Sequence, residues 1–176
     1  MKHLVRGSCF ILLGLMIAAS VRQGPAKEFL TPLEIEKIQD AQEIDKRVKI
    51  YIEAAGLRLK TVTDRFAGKE SVAGDPLEFF SVEDMLDGYY QILRAIMLNL
   101  DDASRKPGTD PAKIQAALKD LKSATELDLK QLQALKKMAE DQRKEEAWNL
   151  IGKAIEITNG AYDGAATALK KKPPDY

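Results

Sequence analysis

The sequence predicts an all-α protein: an up-down-up-down four-helix bundle preceded by a short N-terminal helix, after a cleaved signal peptide. Three observations carry this. Apolar residues recur at alternating spacings of three and four in four long segments, which places them in one stripe along each helix. The connections between these segments are mostly short, and no stretch alternates apolar and polar residues as a half-buried strand would. Each stripe can be buried only against its neighbours, so a closed bundle follows. No internal repeat of 20 to 50 residues points to a solenoid.

The division is residues 1–26 as signal peptide, 27–43 as a short helix and link, 44–170 as the bundle and 171–176 as a disordered tail. The leader has a basic start at Lys2 and Arg6, an apolar run from Cys9 to Ala19, and small residues (Ala18 and Ser20, or Gly24 and Ala26) suited to signal-peptidase cleavage. The apolar run is shorter than the ~20 residues that span a bilayer, so no stable membrane anchor is expected. The expected location is the periplasm or the exterior.

The first helix starts at Leu30-Thr31-Pro32-Leu33-Glu34-Ile35. Thr31 is the N-cap, Pro32 takes the first helical position, Glu34 closes a capping box, and Leu30 and Ile35 staple across it. Polar Gln39-Asp40 and Gln42-Glu43 interrupt the pattern, so a break is expected near residues 41–43. Val48, Ile52, Ala55, Leu59, Val62 and Phe66 then define a core helix of about 35 Å, at ~1.5 Å per residue.

Residues 67–80 contain Gly68, Gly74 and Pro76 and read as the longest loop, with Leu77, Phe79 and Phe80 folding back as an apolar lid. The next helix is the clearest in the chain. Ser81 and Asp84 form a capping box, Phe80 and Met85 staple it, and Val82, Leu86, Tyr89, Leu93, Ile96, Leu100 and Ala103 form the stripe. It ends at Lys106-Pro107-Gly108, and Asp110-Pro111 opens another; a turn this short predicts antiparallel neighbours. The fourth stripe is Ile114, Leu118, Leu121, Thr125, Leu129, Leu132, Leu135 and Ala139, with an extra step near Leu129 and with Leu127 outside it. Continuous helix from Pro111 to Lys170 would reach roughly 90 Å, too long for this domain, so a turn is placed at 140–143 with Asp141 as N-cap. Trp148, Ile151, Ile155, Thr158, Tyr162, Ala165 and Leu169 complete the last helix.

Composition excludes much chemistry. Hydrophobic residues make up 45% and charged residues 31% of the 176, a globular balance. The first 26 residues hold three basic side chains and no acid, so cleavage leaves a net charge of −3, which argues against nucleic acid as partner. Cys9 and His3 are the only cysteine and histidine, and both fall in the leader. A cleaved chain then has no disulfide, thiolate zinc site, histidine base or haem ligand of that type. Without Glu-x-x-His the usual di-iron bundle site is excluded. Asp101-Asp102 and Glu145-Glu146 point to different sides of their helices, and Met85, Met97 and Met138 are too dispersed for a copper site. Phosphate loops and nucleophile elbows are absent.

Two clusters are weighed as sites. Asp87, Tyr89, Tyr90 and Arg94 lie beside the buried stripe, where Arg94 can pair an anion and Tyr90 supply a hydroxyl; the competing reading is ordinary helix-flank packing. The last helix is rich in small residues, Gly152, Gly160, Ala161, Gly164, Ala165, Ala166 and Ala168, which serve either close helix approach or a groove near Asn159, Tyr162 and Asp163. Packing is favoured for both, so no catalytic, metal, cofactor or ligand-binding residue is assigned.

Residues 29–43, FLTPLEIEKIQDAQE, followed by Lys46-Arg47-Val48-Lys49-Ile50-Tyr51, resemble a group of exported bacterial helical-bundle proteins that carry no assigned activity. The resemblance implies export and a helical layout and no catalytic residue. The expectation is a non-enzymatic exported bundle that binds a protein partner or assembles with itself; the alternative is a small-ligand or ion-binding bundle.

Overall fold

The computed structural model describes residues 29–170; the leader and the last six residues lie outside the described residues. Five helices are present and no strand among the described residues: α1 (Pro32–Asp40), α2 (Ile44–Phe66), α3 (Val82–Arg105), α4 (Pro111–Asp141) and α5 (Glu145–Lys170). Their starts follow local chemistry. Thr31 and Ser81 each accept from the N–H three residues on, while Glu34 and Asp84 reach back to the cap N–H, satisfying two orphan donors per helix. Asp110 accepts from Ala112 N–H at 2.8 Å ahead of Pro111. The break between α1 and α2 covers residues 41–43, where the Arg47 guanidinium donates to Ala41 O at 2.9 and 3.2 Å and fastens the link.

α2, α3, α4 and α5 share one core. Val48, Leu59, Val62, Met85, Leu86, Ile92, Leu93, Ile96, Leu132, Leu135 and Ile151 are all within about 1% of complete burial. α3 packs on α2 and α5, and α4 packs on the same two, whereas α2 and α5 do not meet. Chain sense follows from named contacts. Glu43, just before α2, pairs with Lys113 at the start of α4, and Gln142, just past α4, donates to Phe66 O at the end of α2 (3.0 Å), so α2 and α4 run in the same sense. Arg47 reaches Asn99 near the end of α3, and Lys136 lies over Trp148 while Lys122 lies over Tyr162, so α3 opposes α2 and α5 opposes α4.

Several expectations change. α3 and α4 are joined by a short turn yet share the smallest contact among the packed pairs; they are opposite corners, not neighbours, because the turn spans the diagonal of the core. Phe79 is 83% exposed, so the lid consists of buried Leu77 and half-buried Phe80 alone. That loop is organised by Arg65, which donates to the carbonyls of Leu77, Glu78 and Phe80 and to Ser71 Oγ. The α4–α5 turn falls at residues 142–144. Asp141 is the last residue of α4, not the N-cap of α5. Arg143 closes the helix in the left-handed region (φ 56°), with its N–H on Glu140 O and Lys144 N–H on Ala139 O.

The buried seam of α5 is also displaced. It consists of Ala147, Ile151, Ala154, Thr158, Ala161 and Ala165, and Trp148 sits at its margin under Lys136. Alanines, not glycines, therefore provide the close approach of this helix. A Cβ on Gly160 or Gly164 would meet nothing within 4 Å, and one on Gly152 only Lys136 Nζ at 3.9 Å, so these glycines do not serve close helix approach within the bundle.

Candidate functional site

Two groups of polar side chains lie along the helix seams, one joining α3, α4 and α5 and one joining α2 to α1. On α3, Tyr89 is fully buried and its hydroxyl lies 2.8 Å from Thr158 Oγ1 on α5 and 3.1 Å from Asp128 Oδ2 on α4. Thr158 donates in turn to Ala154 O at 2.6 Å. Burial pushes the Asp128 carboxyl up to about 6, a rise that its hydrogen bond with Tyr89 only partly offsets. Burial and the neighbouring Asp128 charge raise the Tyr89 phenol as well, so Tyr89 stays protonated at any physiological pH.

The second polar group centres on Arg58 of α2, which is 1% exposed. Its guanidinium grips Glu34 of α1 through both carboxylate oxygens, at 2.8 and 2.9 Å, and donates to Phe29 O at 2.6 Å and Ala54 O at 2.8 Å. Burial alone would raise the Glu34 carboxyl; Arg58 and the Thr31 N–H outweigh it and hold it below the usual range. Arg58 needs room on α3, and Gly88 supplies it: a Cβ there would lie 3.1 Å from Nε and 3.4 Å from Cδ. α1 itself buries none of its own helical residues, and this clasp ties it to α2.

Between α3 and α5 lies an open-sided groove of about 550 Å³. Leu86, Met97, Leu150 and Ile157 form apolar walls, Asp87, Tyr90, Lys153 and Glu156 supply polar groups, and Gly160 leaves one edge low. Such a volume lies within the ~300–1,000 Å³ of ligand pockets, but the open side suits an elongated occupant better than an enclosed one.

The groove gathers some of the residues singled out from the sequence and scatters others. Asp87, Tyr90 and Gly160 line it. Tyr89 faces the other way, into the core, and Arg94 is exposed outside the groove. Asn159 and Asp163 are exposed, and Tyr162 lies against α4 with Lys122 Nζ 4.9 Å from its ring centroid; none of the three lines the α3–α5 groove. No group of three or more acidic, cysteine or histidine side chains converges as a metal site among the described residues.

Arg58, Asp128 and Gly88 carry no role in the sequence reading. A signal was present for the first two. Leu121, Thr125, Asp128, Leu132, Leu135 and Ala139 alternate four and three without the extra step that Leu129 requires, and Val48, Tyr51, Ala55, Arg58 and Val62 do the same on α2. Strict periodicity places a charged residue in each seam. No family model, curated protein or solved structure matches the chain.

Proposed function

We propose that this is an exported, non-enzymatic protein, an up-down-up-down four-helix bundle that works in the periplasm or outside the cell by binding a protein partner or a second copy of itself through the α3–α5 groove. The groove carries the reading: an open channel with apolar walls and a mixed-charge rim is the form that receives an amphipathic segment, read as anchors one helical turn apart. The buried polar groups support a non-catalytic role, because Tyr89, Asp128 and Thr158 engage one another away from this surface. None of the described helices is long and apolar enough to cross a membrane.

Ile157→Asp places a charge on the groove wall, while Leu127→Asp does so on α4, where Leu127 is already 66% exposed. Natively purified wild type should carry a stoichiometric partner, or dimerise with rising concentration, and only Ile157→Asp should lose it. A wild type that is a bare monomer at every concentration, or equal loss in both variants, contradicts the proposal. A small-ligand reading draws on the groove volume and on Asp87, Tyr90 and Lys153; native mass spectrometry revealing a bound metabolite lost in Tyr90→Phe or Lys153→Ala would favour it instead.

A further inference from the structure

The three oxygen–oxygen contacts of the polar group joining α3, α4 and α5 set a proton requirement. Thr158 Oγ1 and Ala154 O are 2.6 Å apart, and a carbonyl cannot donate, so the Thr158 proton lies on that contact. The 2.8 Å contact between Thr158 Oγ1 and the Tyr89 hydroxyl therefore takes its proton from Tyr89. Tyr89 has no second proton for Asp128 Oδ2, 3.1 Å away. Three contacts need three protons, and the two hydroxyls supply two. We propose that Asp128 supplies the third when it is protonated, and that the chain Asp128 to Tyr89 to Thr158 to Ala154 O is then a proton-dependent tie that joins α4 to α3 and α5.

The surroundings offer no ionic substitute. On α2, Arg58 is committed to Glu34 and Lys60 to Asp64 at 2.6 Å. α3 brings Tyr89, whose phenol remains neutral. On α5, Lys153 and Glu156 line the groove instead. On α4 itself, Lys122 and Lys130 stand 3.9 Å from Glu126. Partial burial is the largest influence on the Asp128 carboxyl and raises it.

When Asp128 releases its proton to solvent, one contact in the chain is left as two facing oxygen lone pairs, and a half-buried carboxylate is left without a cation. Raising the pH through the Asp128 midpoint therefore loosens the joint between α4 and the α3–α5 pair, and mild acid tightens it. This holds whatever the groove binds.

The test is a carboxyl ¹³C NMR titration of the full chain, with the Asp128 signal identified by its loss in Asp128→Asn. Asp128 should titrate near pH 6, and Thr158→Val should lower its midpoint by a unit or more, because the Tyr89 proton is then free to bond the carboxylate. A midpoint in the ordinary aspartate range for wild type, or one unchanged or raised in Thr158→Val, overturns the proposal. Should Thr158→Val not fold, urea unfolding of wild type and Asp128→Asn decides, since the side-chain amide of that variant can donate to Tyr89 as the protonated acid does. From pH 4 to pH 8 the ratio of their unfolding constants should shift by up to about 100-fold against wild type, the equivalent of two pKa units. A flat ratio refutes it.

Discussion

Replacing Glu34 by alanine should undo the clasp between α1 and the core. Arg58 is 1% exposed, and among the described residues its bidentate partner provides the only negative charge among its hydrogen-bond acceptors. Removing one partner of a buried pair costs about 3–5 kcal/mol, since the other charge stays buried. The Glu34 bond to Thr31 N–H, 2.7 Å, adds about 1 kcal/mol of lost capping. Two features pull the sum down: the Glu34 side chain is already 13% exposed, and α1 packs only on α2 and can detach to let water reach Arg58. The expected loss is about 3 kcal/mol, at the low end of that range, with the damage confined to residues 29–40. Urea unfolding gives the global figure, and native-state hydrogen exchange shows whether the α1 amides lose protection while those of α3 keep it. A loss under about 0.5 kcal/mol, the scale of a surface substitution, with α1 still protected would refute the clasp.

The same ion pair fixes a pH dependence. Because the folded Glu34 carboxyl titrates below its unfolded value of ~4.3, its contribution is full above that pH and disappears as pH falls through the folded value, so α1 exchange should rise in acid, opposite in sign to the Asp128 effect. Leu93→Ala, at a side chain 1% exposed, should cost about 2–5 kcal/mol in denaturant unfolding. Glycine substitutions should divide by surroundings. Gly164→Ala, in open space on a helix, should stabilise by roughly 0.5–1 kcal/mol, whereas Gly88→Ala should destabilise despite the same propensity gain, because Arg58 is pinned by its acceptors and cannot give way. Arg143→Gly should raise the midpoint of thermal unfolding by relieving about 1 kcal/mol of left-handed strain.

The sequence made most of the helical architecture legible because the caps are written in it. Thr31-Pro32, Ser81 with Asp84, and Asp110-Pro111 each open a helix where the side chain that satisfies the first turn stands. Helix ends were legible only where glycine marks them. α2 and α4 finish in the same hydrogen-bonded motif, but the left-handed position is Gly68 in one and Arg143 in the other, and an arginine gives no warning. Which helices adjoin was not legible, since a stripe says that a face is buried and not against which neighbour; hence the misplaced α3–α4 contact. The two polar groups were missed for another reason. Apolar periodicity alone passes over Asp128 and Arg58; on α4 Asp128 and Leu129 are both half-buried, and it is Asp128 that hydrogen-bonds Tyr89 across the helix contact. In α5 the small alanines that pack and the glycines that do not are alike in composition, and only the three-dimensional arrangement separates Ala161, which is buried, from Gly160, which borders the groove.

Whether the α3–α5 groove is the working surface can be read most directly by placing a photoreactive residue at Gly160, where the added side chain has open space, and another at exposed Leu127 as a control on α4. Irradiation in the producing cells should give one defined adduct, with a partner protein or a second copy of this chain, from position 160 and none from position 127. No adduct from 160, or the same adducts from both, would contradict the account.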